Sequence, residues 1–183
     1  MLHRHASPAV AGSYTLGALS GAAMTAGALF VANGLLSPVP QSVRGILALS
    51  LLVLLILCAV GVLCLDLPQR AYQIPRETFH QSPTRAAFRF AFELGTGVRT
   101  YITATAPYAL AIVLLLCLPA SFGRAALSAS LGAAGYGLGR SMVVLTQSLR
   151  SAIAVDQPAR WLRRADLVAL VAAGVIAVRF VAS

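Results

Sequence analysis

The run of residues between positions 92 and 108 combines charges, hydroxyl groups and backbone-breaking residues, and it is the part of the chain best suited to chemistry. Its candidate residues are Glu93, Gly95, Gly97, Arg99, Thr103, Thr105, Pro107 and Tyr108. An arginine at membrane depth costs roughly 2.5–3.5 kcal/mol, so it normally pairs or lines a wet cavity. The glycines permit a backbone break, and Pro107 frees a carbonyl from its helical hydrogen bond. The run therefore predicts a hydrated site in which Arg99 faces an anionic group.

Two arginines are candidate partners for the one acidic residue of this run. Glu93 is expected to pair with Arg99 or, across a helix bundle, with Arg140, the single charge of a later apolar segment. Arg140 is therefore included among the candidate path residues. The alternative is that Glu93 and Arg99 lie at the cytoplasmic interface, where Arg99 and Arg140 extend towards lipid headgroups.

The cysteines and histidines do not form a recognisable chemical motif. Cys58 and Cys64 fall on different faces of a helix, Cys117 is distant in the chain, and no CxxC or metal-ligand spacing occurs. These thiols are expected to behave as small hydrophobic side chains. The sequence therefore predicts no metal site, and it does not identify a cofactor.

The composition defines the class of protein that must hold these residues in place. Hydrophobic residues make up 58% of the 183 positions and charged residues only 10%, whereas a soluble domain carries roughly 25% charged residues. Such a surface is expected to face a lipid bilayer. All fourteen basic residues are arginines, clustered in loops, and the net charge is +9. This clustering is typical of a membrane protein and argues against nucleic acid as a partner.

Five apolar segments are long enough to cross a bilayer, so the predicted fold is an all-α integral membrane protein, a single bundle of about five transmembrane helices. The predicted spans are 9–36, 45–65, 88–118, 125–149 and 166–181. A straight helix over the third segment would measure about 46 Å, too long for one span of about 30 Å. The third helix is therefore predicted to be broken.

The arginine-rich loops predict the orientation of the bundle. The loop 66–87 carries Arg70, Arg76 and Arg85, and the loop before the last span carries Arg160, Arg163 and Arg164 beside Trp161. The positive-inside rule places both loops in the cytoplasm. The N-terminus is then cytoplasmic and the C-terminus external, in the inner membrane of a bacterium. The outer turns contain only Arg44 and Arg124.

Small residues at intervals of four predict which helices pack closely. In a membrane, close packing depends on small residues that let two backbones approach. One stripe lies in the first span and consists of Ser13, Gly17, Gly21 and Thr25. The other lies in the fourth span and consists of Ala129, Ala133 and Gly137.

The pattern of small and apolar residues resembles a known family. From Gly12 to about Leu65 it is similar to the second and third helices of the transmembrane electron carriers for cytochrome c biogenesis, the CcdA/DsbD family. The stretches 94–109 and 132–139 are similar to the fourth and fifth. That family has a Pro-Cys pair where this chain has Pro107 and Tyr108. The resemblance therefore implies a broken-helix membrane fold, as in LysE-type exporters, without the redox cysteines of the family.

Three functions agree with these features. The first is a transporter or permease for a small solute or ion, with its path at the Gly95–Tyr108 break; it would form a homo-oligomer, because five helices leave little room for a path. The second is a thiol–disulfide relay of the CcdA type, served by a thioredoxin-like protein. The third is a non-catalytic subunit that assembles a larger membrane complex. An enzyme is the less favoured class.

Overall fold

The computed structural model describes residues 8–63, 82–97, 105–150 and 158–182, without the side chains of 143–150 and 158–167. Every regular element in these ranges is an α-helix, so the all-helical prediction is confirmed for this part of the chain. The helices are α1 (Pro8–Leu35), α2 (Gln41–Val60), α3 (Pro83–Thr96), α4 (Ala106–Leu116), α5 (Phe122–Arg150) and α6 (Pro158–Ala182).

Proline and glycine account for several of the helix ends. Pro83 and Pro107 lie in the first turns of α3 and α4, where a missing N–H costs nothing. α2 ends at Gly61, whose φ of 85° is left-handed and whose N–H donates to the carbonyl of Cys58. Glycine is favoured at such a helix terminus because it lacks a Cβ atom.

Several helix bounds differ from those of the predicted spans. The second span was predicted over 45–65, and α2 ends at Val60 because Gly61 turns the chain. The last span was predicted over 166–181, and α6 begins eight residues earlier, at Pro158. The end of the loop predicted over 66–87 is helical, since α3 begins at Pro83. Residues 64–81 of that region lie outside the described residues.

The third apolar segment, predicted over 88–118, consists of two helices. α3 ends at Gly97, which has a φ of 64°, and α4 begins at Ala106. Residues 98–104 between them lie outside the described residues. The separation agrees with the expectation that glycine and proline interrupt this segment.

Two of the described helices, α1 and α2, are long and apolar enough to cross a membrane. α2 has 20 residues and so measures about 30 Å. Two shorter apolar stretches are α4, Ala106–Leu116, and the part of α6 over Val168–Ala182. Large apolar side chains on these helices are exposed, as with Val31 and Val53, so the outer surface has the apolar character that the composition predicts.

The chain divides into two compact units, and α1 and α5 each contribute to both. Unit 1 comprises Met1–Thr25, Gln69–Tyr101 and Ala133–Asp156. Unit 2 comprises Ala26–Pro68, Ile102–Gly132 and Gln157–Ser183. Each unit has its own buried cluster of residues, and each is described separately.

In unit 2, α2, α4 and α6 pack against one another. Most of the buried residues at this contact are alanine or leucine. They are Ala48, Leu52, Leu55, Ala109, Leu116, Cys117, Leu170, Ala173 and Ala177. Small alanines allow the helices to approach, and the leucines fill the space between them.

In unit 1, α1 and α3 run in the same direction with their backbones in close contact. A Cβ atom added at Gly17 would collide with the carbonyl oxygen of Phe88, and one added at Gly21 would collide with that of Phe92. From the other helix, a Cβ atom at Gly95 would collide with the carbonyl oxygen of Ala18. Only residues without a side chain permit this approach.

The other members of the predicted packing stripes occupy several environments. Ser13 and Thr25 are half-buried, while Ala129 and Ala133 are buried. Gly137 of α5 lies in unit 1, where an added Cβ atom would come within 3.0 Å of the Leu19 Cα atom.

Candidate functional site

A buried carboxylate lies one turn before the end of α3. Glu93 is 7% exposed, and its Oε2 atom is buried without a hydrogen bond to any described residue. Its Oε1 atom lies 3.8 Å from the Nε atom of Arg89, one turn earlier on the same helix. The Arg89 side chain is 57% exposed, so solvent screens its charge and the contact is weak. Glu93 thus places a negative charge in the protein interior with little compensation.

Hydrogen bonds fix the end of α3 close to this carboxylate. The Thr96 hydroxyl donates to the carbonyl oxygen of Glu93 at 2.7 Å. The Thr25 hydroxyl of α1 donates to the carbonyl oxygen of Thr96 at 2.9 Å. That oxygen belongs to the last turn of α3, where no backbone N–H of the same helix is available to donate to it. The Thr25 side chain of α1 therefore caps the C-terminal end of α3.

The hydrogen bond from Thr25 should stabilise the protein measurably. Replacing Thr25 with valine removes the donor but keeps the shape of the side chain, and we expect a loss of about 1 kcal/mol in the free energy of unfolding. Thr15→Val is the matched control, because Thr15 donates only to Ala11 of its own helix. Denaturation by sodium dodecyl sulfate in mixed micelles, followed by circular dichroism, measures both. Equal losses would contradict a role for Thr25 in joining α1 to α3.

An aromatic and cationic pair from α5 belongs to the same unit. The Arg140 Nε atom donates to the Tyr136 hydroxyl at 3.2 Å, and its guanidinium lies 5.5 Å from the centre of that ring. A Cβ atom added at Gly97 would lie 3.3 Å from the Tyr136 hydroxyl. Tyr136 is thus adjacent to the residue at which α3 ends. Tyr14 of α1 is buried in the same unit, and its ring lies 6.3 Å from that of Phe90, centre to centre.

The ion pair observed at Glu93 differs from the two that were predicted. Among the described residues Glu93 forms its ion pair with Arg89, and Arg140 contacts Tyr136. Arg99, the other predicted partner, lies outside the described residues, as does Thr103.

The remaining predicted path residues are divided between the two units. Glu93, Gly95, Gly97 and Arg140 belong to unit 1. Thr105, Pro107 and Tyr108 belong to unit 2, at the start of α4. Tyr14 and Tyr136 were not predicted as site residues. Their one indication in the sequence is that each lies among the small residues of a packing stripe.

Unit 2 contains a second polar group that the sequence did not predict. The Asn33 amide of α1 donates to the carbonyl oxygen of Leu115 at 2.7 Å. The Gln41 amide of α2 donates to the carbonyl oxygen of Phe180 at 2.7 Å. Arg44, expected in an outer turn, instead lies in α2 and is only 8% exposed. The sequence features that could have indicated this group are an asparagine within the first apolar segment, Asn33, and an arginine soon after Pro40.

The thiols and possible metal ligands of the described residues offer little further chemistry. Cys58 and Cys117 are free thiols, half-buried and buried respectively. No group of three histidine, cysteine or acidic side chains that could hold a metal ion occurs in the described part of the chain. Cys64 and the histidines lie outside it.

In its described ranges the protein is all-helical, with two helices long and apolar enough to cross a membrane and a buried acidic residue in the last turn of α3. Comparisons with protein-family models, curated proteins and solved structures find no match to this chain.

Proposed function

We propose that this chain is a multi-pass protein of the bacterial cytoplasmic membrane that transports a small solute or ion. The observation that carries the proposal is Glu93, a carboxylate 7% exposed with one oxygen buried and unpartnered among the described residues. Charged residues inside a membrane bundle are costly and commonly line substrate or ion pathways. The path is proposed at the Gly95–Tyr108 break, which follows Glu93 in the sequence.

The helix directions in unit 2 support a five-span arrangement. The Asn33–Leu115 and Gln41–Phe180 hydrogen bonds bring the C-terminal ends of α1, α4 and α6 to the N-terminal end of α2. The Phe30 and Phe122 rings, 5.5 Å apart, place the start of α5 at the same end. If α3 and α4 together form one interrupted span, five spans that cross the membrane in alternating directions would bring these helix ends to the same side. The arginine-rich loops then favour a cytoplasmic N-terminus.

A homo-oligomer completes the proposal. Five spans offer little room for a path that is enclosed by one protomer, so a second copy would contribute to its wall. Arg99, which follows the end of α3, is proposed to face the anionic group of the solute or a neighbouring carboxylate.

Uptake into proteoliposomes tests this function directly. The purified protein is reconstituted, and entry of labelled phosphate, acetate, alanine, arginine and sodium is compared with entry into protein-free vesicles. We expect protein-dependent, saturable uptake of at least one probe, abolished by Arg99→Ala while helical content and oligomeric state are retained. Normal uptake by Arg99→Ala would remove Arg99 from the path. No uptake of any probe would contradict the proposed transport.

Two other functions require different observations. A thiol–disulfide relay working with a thioredoxin-like protein needs a cysteine pair that forms and breaks a disulfide. A non-catalytic subunit needs a partner protein that copurifies in fixed stoichiometry. Neither has a supporting contact among the described residues, in which Cys58 and Cys117 are free thiols.

Differential alkylation of the cysteines discriminates the relay from transport. We expect all three cysteines to remain reduced in isolated membranes under both oxidising and reducing conditions. Cys58 should react faster than Cys117, because Cys117 is 5% exposed while Cys58 is half-buried. Intact mass after labelling measures the number of free thiols. A pair of cysteines that becomes oxidised together would favour the relay over transport.

A further inference from the structure

Arg44 is a buried cation without a counterion among the described side chains of its unit. It is 8% exposed, and its Nε atom is buried without a hydrogen bond to any described residue. The described side chains of unit 2, in the ranges 26–63, 105–132 and 168–182, include no aspartate or glutamate. A buried guanidinium without an acidic partner is costly unless another group compensates its charge.

The surrounding helix ends compensate Arg44 only in part. Its guanidinium lies 5.5 Å from the centre of the Phe180 ring, a cation–π contact at the C-terminal end of α6. The carbonyl oxygen of Phe180 accepts a hydrogen bond from the Gln41 amide at 2.7 Å, so the first turn of α2 lies against the same end of α6.

The N-terminus of α2 supplies further donors beside Arg44. The Arg44 N–H is bonded to the carbonyl oxygen of Pro40, and Pro40 provides no side chain to cap the helix. The N–H groups of Ser42 and Val43 precede the first helical hydrogen bond and have no intrahelical acceptor. Both residues are exposed. Side chains of a helix point towards its N-terminus, so Arg44 lies on the side of these donors.

The residue after Arg44 packs closely against α6. A Cβ atom at Gly45 would collide with a side-chain methyl group of Val181, so α2 lies against the end of α6 at this point. A buried cation is thus present in the first turn of a 20-residue helix, whose N-terminus is its positive end. We propose that Arg44 and the first-turn amides of α2 bind a phosphate-type oxyanion. Its source is a lipid headgroup or free phosphate, and the proposal is independent of the proposed transport path.

Binding is measured with two probes on the full-length protein in detergent. Native mass spectrometry with phosphatidylglycerol counts retained lipid, and thermal unfolding with inorganic phosphate in lipid-free micelles detects the free anion. We expect Arg44→Gln to weaken binding of one probe by about tenfold to a hundredfold, the range for a lost charge-assisted hydrogen bond. Arg124→Gln is the matched control, because Arg124 is an exposed arginine in the first turn of α5 and should bind as the wild type does.

The outcomes separate the two sources. Loss of lipid retention without a phosphate effect identifies the headgroup, whereas loss of phosphate stabilisation identifies the free anion. Arg44→Lys keeps the charge and is measured alongside in case Arg44→Gln fails to fold; weaker binding by this variant supports recognition by the guanidinium. If neither probe distinguishes wild type from either Arg44 variant, or if Arg124→Gln weakens binding equally, the site is refuted.

Discussion

Replacing Glu93 with glutamine should reduce the rate of solute uptake by about tenfold to a hundredfold without unfolding the protein. The substitution keeps the shape of the side chain and removes its charge. An interaction of a charged group with a solute contributes about 1.5–3 kcal/mol, and its loss in the transition state of transport corresponds to this reduction. The initial rate of uptake by proteoliposomes measures the effect, with the solute that the wild type carries.

Although Glu93→Gln should lower the rate of uptake, it should not lower the stability of the protein. The Oε2 atom of Glu93 is buried and unpartnered among the described residues, so removal of a desolvated charge should leave the free energy of unfolding unchanged or raised. Arg89→Gln is the matched control, because Arg89 forms the ion pair with Glu93 but is 57% exposed. It should retain both uptake and stability. Full uptake by Glu93→Gln would exclude this carboxylate from the path.

The second large effect is expected from a single methyl group at Gly21. In Gly21→Ala, the new Cβ atom would collide with the Phe92 carbonyl oxygen and would lie 3.0 Å from the Gly95 carbonyl carbon. These are backbone atoms, so no change of rotamer can relieve the contact. We expect α1 and α3 to separate, with a loss of about 1–3 kcal/mol or more in the free energy of unfolding. Denaturation by sodium dodecyl sulfate in mixed micelles measures this loss.

Gly27→Ala provides the control for helix propensity. Gly27 is exposed on the same helix, and an added Cβ atom would have no neighbour within 4 Å. Alanine is favoured over glycine in a helix interior by about 1 kcal/mol, so this variant should be as stable as the wild type or more so. Equal destabilisation by both substitutions would show that the contact between α1 and α3 does not stabilise the protein.

The interruption of the third apolar segment illustrates what could be predicted locally. Gly97 and Pro107 lie close to the observed end of α3 and start of α4. Their effect depends on φ and on a missing N–H, which are properties of the residues themselves. By contrast, the start of α6 at Pro158 was not predicted, because three of its first eight residues are arginines and interrupt the apolar pattern used to recognise a span.

The partners of the charged residues could not be predicted in the same way. Glu93 was expected to pair with Arg99 or with Arg140, yet its ion pair in the described chain is with Arg89, one turn away. Arg44 was expected in an outer turn, yet contact with the end of α6 buries it. Charge and spacing in the sequence show that a partner is needed but do not show which helix supplies it.

The sequence by itself determined the helical class, the apolar character of the surface and the approximate position of the helix break. These depend on composition and on residues within one or two turns of each other. Only the tertiary structure decided that Thr25 caps the end of α3 and that Gln41 binds the end of α6, pairs that lie 71 and 139 residues apart. Such contacts depend on the register and direction of packed helices, which are set by the close approach of backbones and not by any local pattern.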